Sequence, residues 1–225
     1  MTRFKAVIFD LDGTLLDSIA DLADSMNNVM QKMGLPVYGI EEYKLMVGYG
    51  IRDLVLRVLP GEVRDEATIE RCIVMLREEY GRRWALKTRP YEGVIELLEK
   101  LAANGMKMSI LSNKLDTLTK LAVSRFFPDS RFACVMGASP GKPCKPDPYG
   151  ALLIARNLQI AACRFLFLGD SDADMKAAAA AGMFSVGALW GFRGENELRN
   201  SGARALIRHP LDLLELLKRI PPDEL

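Results

Sequence analysis

The chain contains one histidine, His209, and almost no net charge, with 30 lysines and arginines against 29 aspartates and glutamates in 225 residues. Charges of both signs are mixed along the chain, so no basic stripe or acidic tail points to nucleic acid or a membrane as the main partner. A small soluble molecule is the expected partner. His209 stands before Pro210 near the C-terminus, far from every motif described below, and a Ser-His-Asp mechanism has no support. No uncharged apolar run approaches the ~20 residues of a membrane span, and the opening MTRFKAVIFD meets Asp10 too soon to be a signal-peptide core. A cytoplasmic location is expected. Cys72, Cys134, Cys144 and Cys163 form no C-x-x-C pair, and three lie in or beside apolar segments. Buried free thiols are therefore expected rather than disulfides or a zinc site. Internal repeats are also missing.

What is present is a 49% hydrophobic chain, enough for a sizeable core in one domain plus a large insertion, or in two domains. Apolar runs with strand character recur at AVIF (6–9), KMSIL (107–111), FACVM (132–136), FLFL (165–168) and FSVGAL (184–189), with a weaker one at ALI (205–207). Helical patterns separate most of them. Residues 92–104 read as a helix that stops on Gly105, where a left-handed residue is wanted. Residues 148–158 and 171–181 also read as helices, the second opening on Ser171 with Asp172 and Asp174 in its first turn. Continuous apolar strands separated by helices predict an α/β fold, a doubly wound parallel sheet covered on both faces.

Almost a hundred residues separate the first strand from the second, and they read as all-helical. Ile19, Leu22, Ala23, Met26, Val29, Met30 and Met33 fall at spacings of three and four, the apolar face of an amphipathic helix. Ile69, Cys72, Ile73, Leu76, Tyr80 and Trp84 mark a second face, on a long helix expected from about 62 to 87. The organisation expected is a core of residues 1–15 and 89–225 with a helical insertion at 16–88.

The stretch VIFDLDGTLLDS (7–18) carries Asp10 and Asp12 to the end of what reads as a buried strand. In an open parallel sheet, ligands bind outside the carboxyl ends of the strands. Two buried carboxylates repel and lose hydration, so a positive group should sit between them, and a hard cation such as Mg2+ suits oxygen donors. Taken alone, Asp12-Gly13 is also what a plain turn after a strand looks like. Other strand ends add to the pattern. ILSNK places Ser112, Asn113 and Lys114 where a hydroxyl and backbone N–H groups can hold phosphate oxygens. GKPCKPDP offers Lys142 and Lys145 in a proline-stiffened loop, and FLFLGDSDAD ends a strand on Gly169 and Asp170, with Asp174 one helical turn further on.

Together these segments resemble the haloacid dehalogenase superfamily of aspartate-nucleophile phosphotransferases, over the whole chain. DLDGT is similar to its first motif, Ser112 to the second, Lys145 to the third and GDSDAD to the fourth. Lys145 is preferred to Lys142 because KPDP has the family's K-P-x-P form and lies 25 residues (170 − 145) before Asp170. The insertion resembles the family's C1 cap. VGYGIRDLV and GALWGFRGENEL resemble the phosphoglycolate phosphatase branch.

The resemblance implies a phosphatase acting on a small phosphomonoester, with Asp10 as nucleophile and Asp12 as general acid and base. Mg2+ would lie on Asp10, the backbone carbonyl of Asp12 and Asp170, with Asp174 orienting the metal's waters. Ser112, the backbone around Asn113, and Lys145 would hold the transferring oxygens, and Gly13 and Thr14 are carried as further substrate contacts. A β-phosphoglucomutase-like phosphomutase or a pyrophosphatase on the same frame remains open, as does a non-catalytic phospho-aspartate switch. A monomer or homodimer is expected. For specificity, MVGYGIRDL offers Arg52 at the start of a helical pattern behind Gly48 and Gly50, a fork suited to a small carboxylate such as that of 2-phosphoglycolate. Lys114 is the rival for that task.

Overall fold

A computed structural model describes residues 3–220. The chain divides into two compact units, Met1–Leu16 with Pro90–Leu225, and Asp17–Arg89.

The first unit is built on a six-stranded sheet in the order β5-β4-β1-β6-β7-β8, with every neighbouring pair parallel. Its strands are β1 (Ala6–Phe9), β4 (Lys107–Leu115), β5 (Phe132–Ala138), β6 (Phe165–Gly169), β7 (Phe184–Ala188) and β8 (Ala205–Ile207). Helices α5 (Val94–Ala103), α6 (Asp116–Phe126), α7 (Tyr149–Leu158), α8 (Asp172–Ala180), α9 (Glu195–Asn200) and α10 (Asp212–Arg219) alternate with them. The expected doubly wound α/β fold is the observed one.

β1 and β6 are buried at every position, which is why their sequences run apolar without alternation. One face of the sheet packs Ala6, Ile8, Leu111, Phe165 and Phe167 against Ala151, Ile154 and Ala155 of α7 and Ala178 of α8. The alanine run of α8 is thus a close-packing face. At about 25 cal/mol per Å2 of apolar surface removed from water, such side chains are the main stabilising contribution of the unit. Gly105 ends α5 at φ 70°, as its sequence predicts.

The second unit is helical, with α1 (Ile19–Lys32), α2 (Ile40–Met46), α3 (Ile51–Val58) and α4 (Glu66–Arg83). The short strands β2 (Leu16–Asp17) and β3 (Arg89–Pro90) pair in a two-stranded ribbon where the chain passes between units. α4 buries Ile69, Cys72, Ile73, Leu76 and Tyr80, the face its spacing predicts. It is shorter than the expected span of about 62 to 87. Gly61–Val63 forms a separate 3-10 turn, and Asp65 starts α4 by accepting the Thr68 N–H at 3.0 Å. α1 also buries Asp21, off the apolar pattern. Its carboxylate accepts from Lys87 N, Thr88 N and Thr88 Oγ1 at 2.7–3.0 Å, so the returning chain satisfies it within this unit.

Two further expectations change. The second strand continues past Leu111 to Leu115, because Leu115 pairs with Ala138 after a register irregularity, so the polar residues Ser112, Asn113 and Lys114 lie within β4. All four cysteines are free, yet only Cys72 is buried, while Cys144 is exposed in the loop before α7. Among the described residues, no helix is long and apolar enough to cross a membrane.

Candidate active site

The carboxyl ends of β1, β4 and β6 and the loop before α7 carry the candidate residues of the first unit, and Arg52 is in the second. β1 stops at Phe9, and Asp10 follows with its N–H on Leu168 O of β6 at 2.9 Å. The turn beyond it is closed by Gly13 N on Leu16 O at 2.8 Å. Gly13 has φ 90°, and a Cβ there would collide with the Asp170 carboxylate, so glycine is required on both counts.

Asp10, Asp170 and Asp174 are all buried, and each offers a carboxylate oxygen within 4.8 Å of the others. Lys145 enters this group with Nζ 2.7 Å from Asp10 Oδ1 and 2.6 Å from Asp174 Oδ1, its side chain only 2% exposed. One ammonium thus faces three carboxylates. Burial pushes the Asp10 carboxyl well above its usual range, with Asp174 and Asp170 adding repulsion and Lys145 opposing them. Burial and the Asp174 charge raise Asp170 to about 7, against the Phe192 N–H, the Thr14 hydroxyl and Lys145. Burial alone would lower Lys145, but Asp10 and Asp174 hold it above the usual lysine range. A carboxylate set left short of positive charge in a buried pocket fits a hard divalent cation, and its donors are oxygens of the kind Mg2+ prefers.

Each carboxylate is held by neighbours. Asp170 accepts from Thr14 Oγ1 and from Phe192 N, both at 2.8 Å. Trp190 Nε1 donates to Thr14 O at 2.9 Å, tying the segment after β7 to the turn after β1. Asp174 sits in a capping box at the start of α8, accepting from Ser171 Oγ at 2.5 Å and Ser171 N at 3.0 Å. Thr14 thus touches a carboxylate through its side chain. Sequence reasoning missed Phe192, Trp190 and Ser171 as positioning groups. The signal was Gly191 between two aromatic residues, since a Cβ there would strike Asp170 and Gly13 O.

On the β4 side, Ser112 is 4% exposed and its Oγ accepts the Lys114 N–H at 3.2 Å. Lys114 Nζ contacts both carboxylate oxygens of Asp12 at 3.0 and 3.1 Å. The Asn113 side chain bonds the backbone of Lys145. Lys142 is exposed and borders a cavity of about 180 Å3 with Ser112, Asn113, Asp116 and Lys145. Asp10 and Asp170 do not line that cavity, which lies beside the carboxylate cluster. Arg52 lies in the second unit, where Nη2 bonds Glu66 at 2.7 and 2.8 Å and Nη1 bonds Glu70 at 2.6 Å. His209 lies against Gly93, outside the cluster.

Residues 7–188 match the family of haloacid dehalogenase-like hydrolases. The phosphoglycolate phosphatase of Xanthomonas campestris pv. campestris (strain 8004) is 32% identical over 212 residues, covering 94% of this chain and 95% of that protein. The phosphoglycolate phosphatase of Aquifex aeolicus is 30% identical over 213 residues, covering 95% and 96%. Among solved structures, one from Haemophilus somnus 129pt, described as a predicted phosphoglycolate phosphatase, superposes with TM-score 0.89 at 27% identity, over 96% of this chain and 99% of that one. Since the matched segment runs from the strand that leads into Asp10 through the one that follows Asp170, the chain belongs to the haloacid dehalogenase-like hydrolase family and is phosphoglycolate phosphatase-like.

Proposed function

We propose that this protein is a Mg2+-dependent phosphatase that hydrolyses a small phosphomonoester, with 2-phosphoglycolate as the first candidate, through an aspartyl-phosphate on Asp10. The observation that carries the reading is the Lys145 ammonium shared between Asp10 and Asp174 inside the buried carboxylate cluster. Such a site has the means to receive a phosphoryl group and to hold it against a nucleophile.

Asp10 attacks phosphorus as the bond from phosphorus to the leaving oxygen breaks, and Asp12 gives that oxygen its proton. Water then attacks the phosphorus of the acyl phosphate, Asp12 takes the water's proton, and the carboxylate of Asp10 leaves with inorganic phosphate as the second product. Splitting one displacement into two lowers each barrier, and general acid–base help is worth about 10²–10⁴-fold. Ser112 Oγ, the N–H of Asn113 and the Lys145 ammonium hold the transferring oxygens, while Thr14 and the Phe192 N–H fix Asp170. The Asp10 and Asp170 carboxylates with the carbonyl of Asp12 would hold Mg2+, with Asp174 behind them. Bound there, Mg2+ supplies the charge neutralisation that lets a phosphate dianion approach a carboxylate. The residues 16–88 act as a cap, and the balanced charge of the chain is in keeping with a small-molecule partner.

The test is hydrolysis of p-nitrophenyl phosphate and a panel of phosphate esters with Mg2+ and with EDTA. Metal-dependent release of phosphate, fastest from a small anionic ester, is expected. Full activity after exhaustive chelation would overturn the reading, and slow hydrolysis stimulated by a sugar bisphosphate would favour a mutase.

A further inference from the structure

From Pro140 to Asp147 the loop before α7 is exposed at every residue except Lys145, which is buried. A surface segment thus delivers one ammonium into the carboxylate cluster. Lysine carries it on a flexible four-carbon stem, so the position of Nζ depends on where the backbone of residue 145 is held. Two backbone turn bonds, Lys142 N to Ser139 O at 3.2 Å and Asp147 N to Cys144 O at 2.9 Å, shape the loop locally without tying Lys145 to β4. The fixing comes from Asn113. Its Nδ2 donates to Lys145 O at 2.8 Å, and its Oδ1 accepts from Lys145 N at 2.9 Å. A carboxamide has one donor and one acceptor edge, and here both engage the same residue, 32 positions away in the chain.

We infer that Asn113 is a positioning residue whose side chain serves catalysis through Lys145, and not by contact with substrate. The inference rests on the role given to Lys145 above. β4 is an interior strand between β5 and β1, and Asn113 lies in its polar end between the pairs at Leu111 and Leu115, so the clamp references the loop to the sheet whose β1 leads into Asp10. Lys145 is then held at both ends, at its backbone by Asn113 and at Nζ by Asp10 and Asp174. Loss of the clamp leaves the two carboxylates to place the ammonium alone. Supporting groups of this kind are typically worth on the order of 10–100-fold in rate.

The experiment is a double-mutant cycle on the full chain, with p-nitrophenyl phosphate and a second ester, using Asn113→Ala, Lys145→Met and their combination. Asn113→Ala is expected to lower kcat about 10–100-fold by the same factor for both esters, with KM changed far less. In the Lys145→Met background the same substitution is expected to cost less than about 3-fold. Equal factors in both backgrounds would overturn the inference and assign Asn113 a contact of its own. Asn113→Asp is near-isosteric and keeps the acceptor while replacing the donor, so it is expected to lose rate as well. Amide hydrogen exchange at Lys145, compared between wild type and Asn113→Ala, reads the clamp without any turnover. Exchange should quicken at least about 10-fold at that amide with the core amides of β1 unchanged, and unchanged exchange at Lys145 would overturn the inference. A wild type that hydrolyses no phosphoester would instead sink the phosphatase reading and leave the exchange result standing.

Discussion

Lys114 Nζ bridges the two carboxylate oxygens of Asp12 at 3.0 and 3.1 Å, and its side chain is only 9% exposed. If Asp12 protonates the leaving oxygen, a negative charge on the leaving group must approach this ammonium. Arg52 has its donors on Glu66 and Glu70, so binding a substrate carboxylate would cost it three existing hydrogen bonds. Lys114→Ala is therefore expected to lower kcat/KM for 2-phosphoglycolate about 10-fold more than for p-nitrophenyl phosphate. Arg52→Ala should change both by less than about 3-fold. Steady-state kinetics of the two variants on the two esters check this, and the opposite ranking would return specificity to Arg52.

Asp10→Asn keeps an oxygen that can accept from Lys145 but supplies no carboxylate nucleophile. Turnover is expected to fall by at least about 10³-fold while the melting temperature stays near that of the wild type or rises, since one buried charge is removed. Mass spectrometry of quenched wild-type turnover should show a phosphoryl adduct that the variant lacks. A variant that keeps most of the rate would exclude the covalent route.

Asp170, raised to about 7, binds more protons in the folded state than the ~3.9 of an unfolded aspartate allows. The stability this group contributes is therefore fully present below about pH 4 and is lost as pH rises from there through about 7 in metal-free protein. A cation on the cluster replaces the proton, so its stabilising effect should grow over the same range. Melting temperatures with Mg2+ and with EDTA should differ more at about pH 8 than at about pH 6. A gap that is constant or shrinks with pH would argue against Asp170 as a ligand.

A Cβ at Gly191 would meet both the Asp170 side chain and Gly13 O. Gly191→Ala is expected to cost about 1–3 kcal/mol of stability by overpacking and to displace Asp170, so more Mg2+ should be needed for half-maximal rate. Denaturant melts and a Mg2+ titration of the rate check the two halves separately.

Most of the sheet was legible because buried parallel strands leave short apolar runs, as in AVIF and FLFL. The end of β4 was not. SNK is polar and reads as loop, yet pairing resumes at Leu115 with Ala138, a partner that no local pattern reveals. The length of α4 failed for a related reason. The apolar face continues towards Trp84, and only the separate turn at Gly61–Val63 and the Asp65 cap show where the helix starts. The loop from Pro140 to Asp147 turns every residue outward except Lys145, a choice that no local pattern reveals.

Residue types and their order show which chemistry is available: aspartates behind two apolar runs, a serine behind a third, a lysine in a proline-stiffened loop, and neither a C-x-x-C pair nor a histidine near these motifs to compete with them. Residue type and order along the chain are enough for that, because the end of an apolar run is a local feature. Which groups share a space depends on the fold. Lys145 reaches Asp10 across 135 positions, Thr14 reaches Asp170 across 156, and Asn113 spends both edges of its amide on Lys145. Parallel pairing of β1 with β4 and β6 brings these distant ends together, and burial there turns separate charges into one site whose electrostatics no single segment carries.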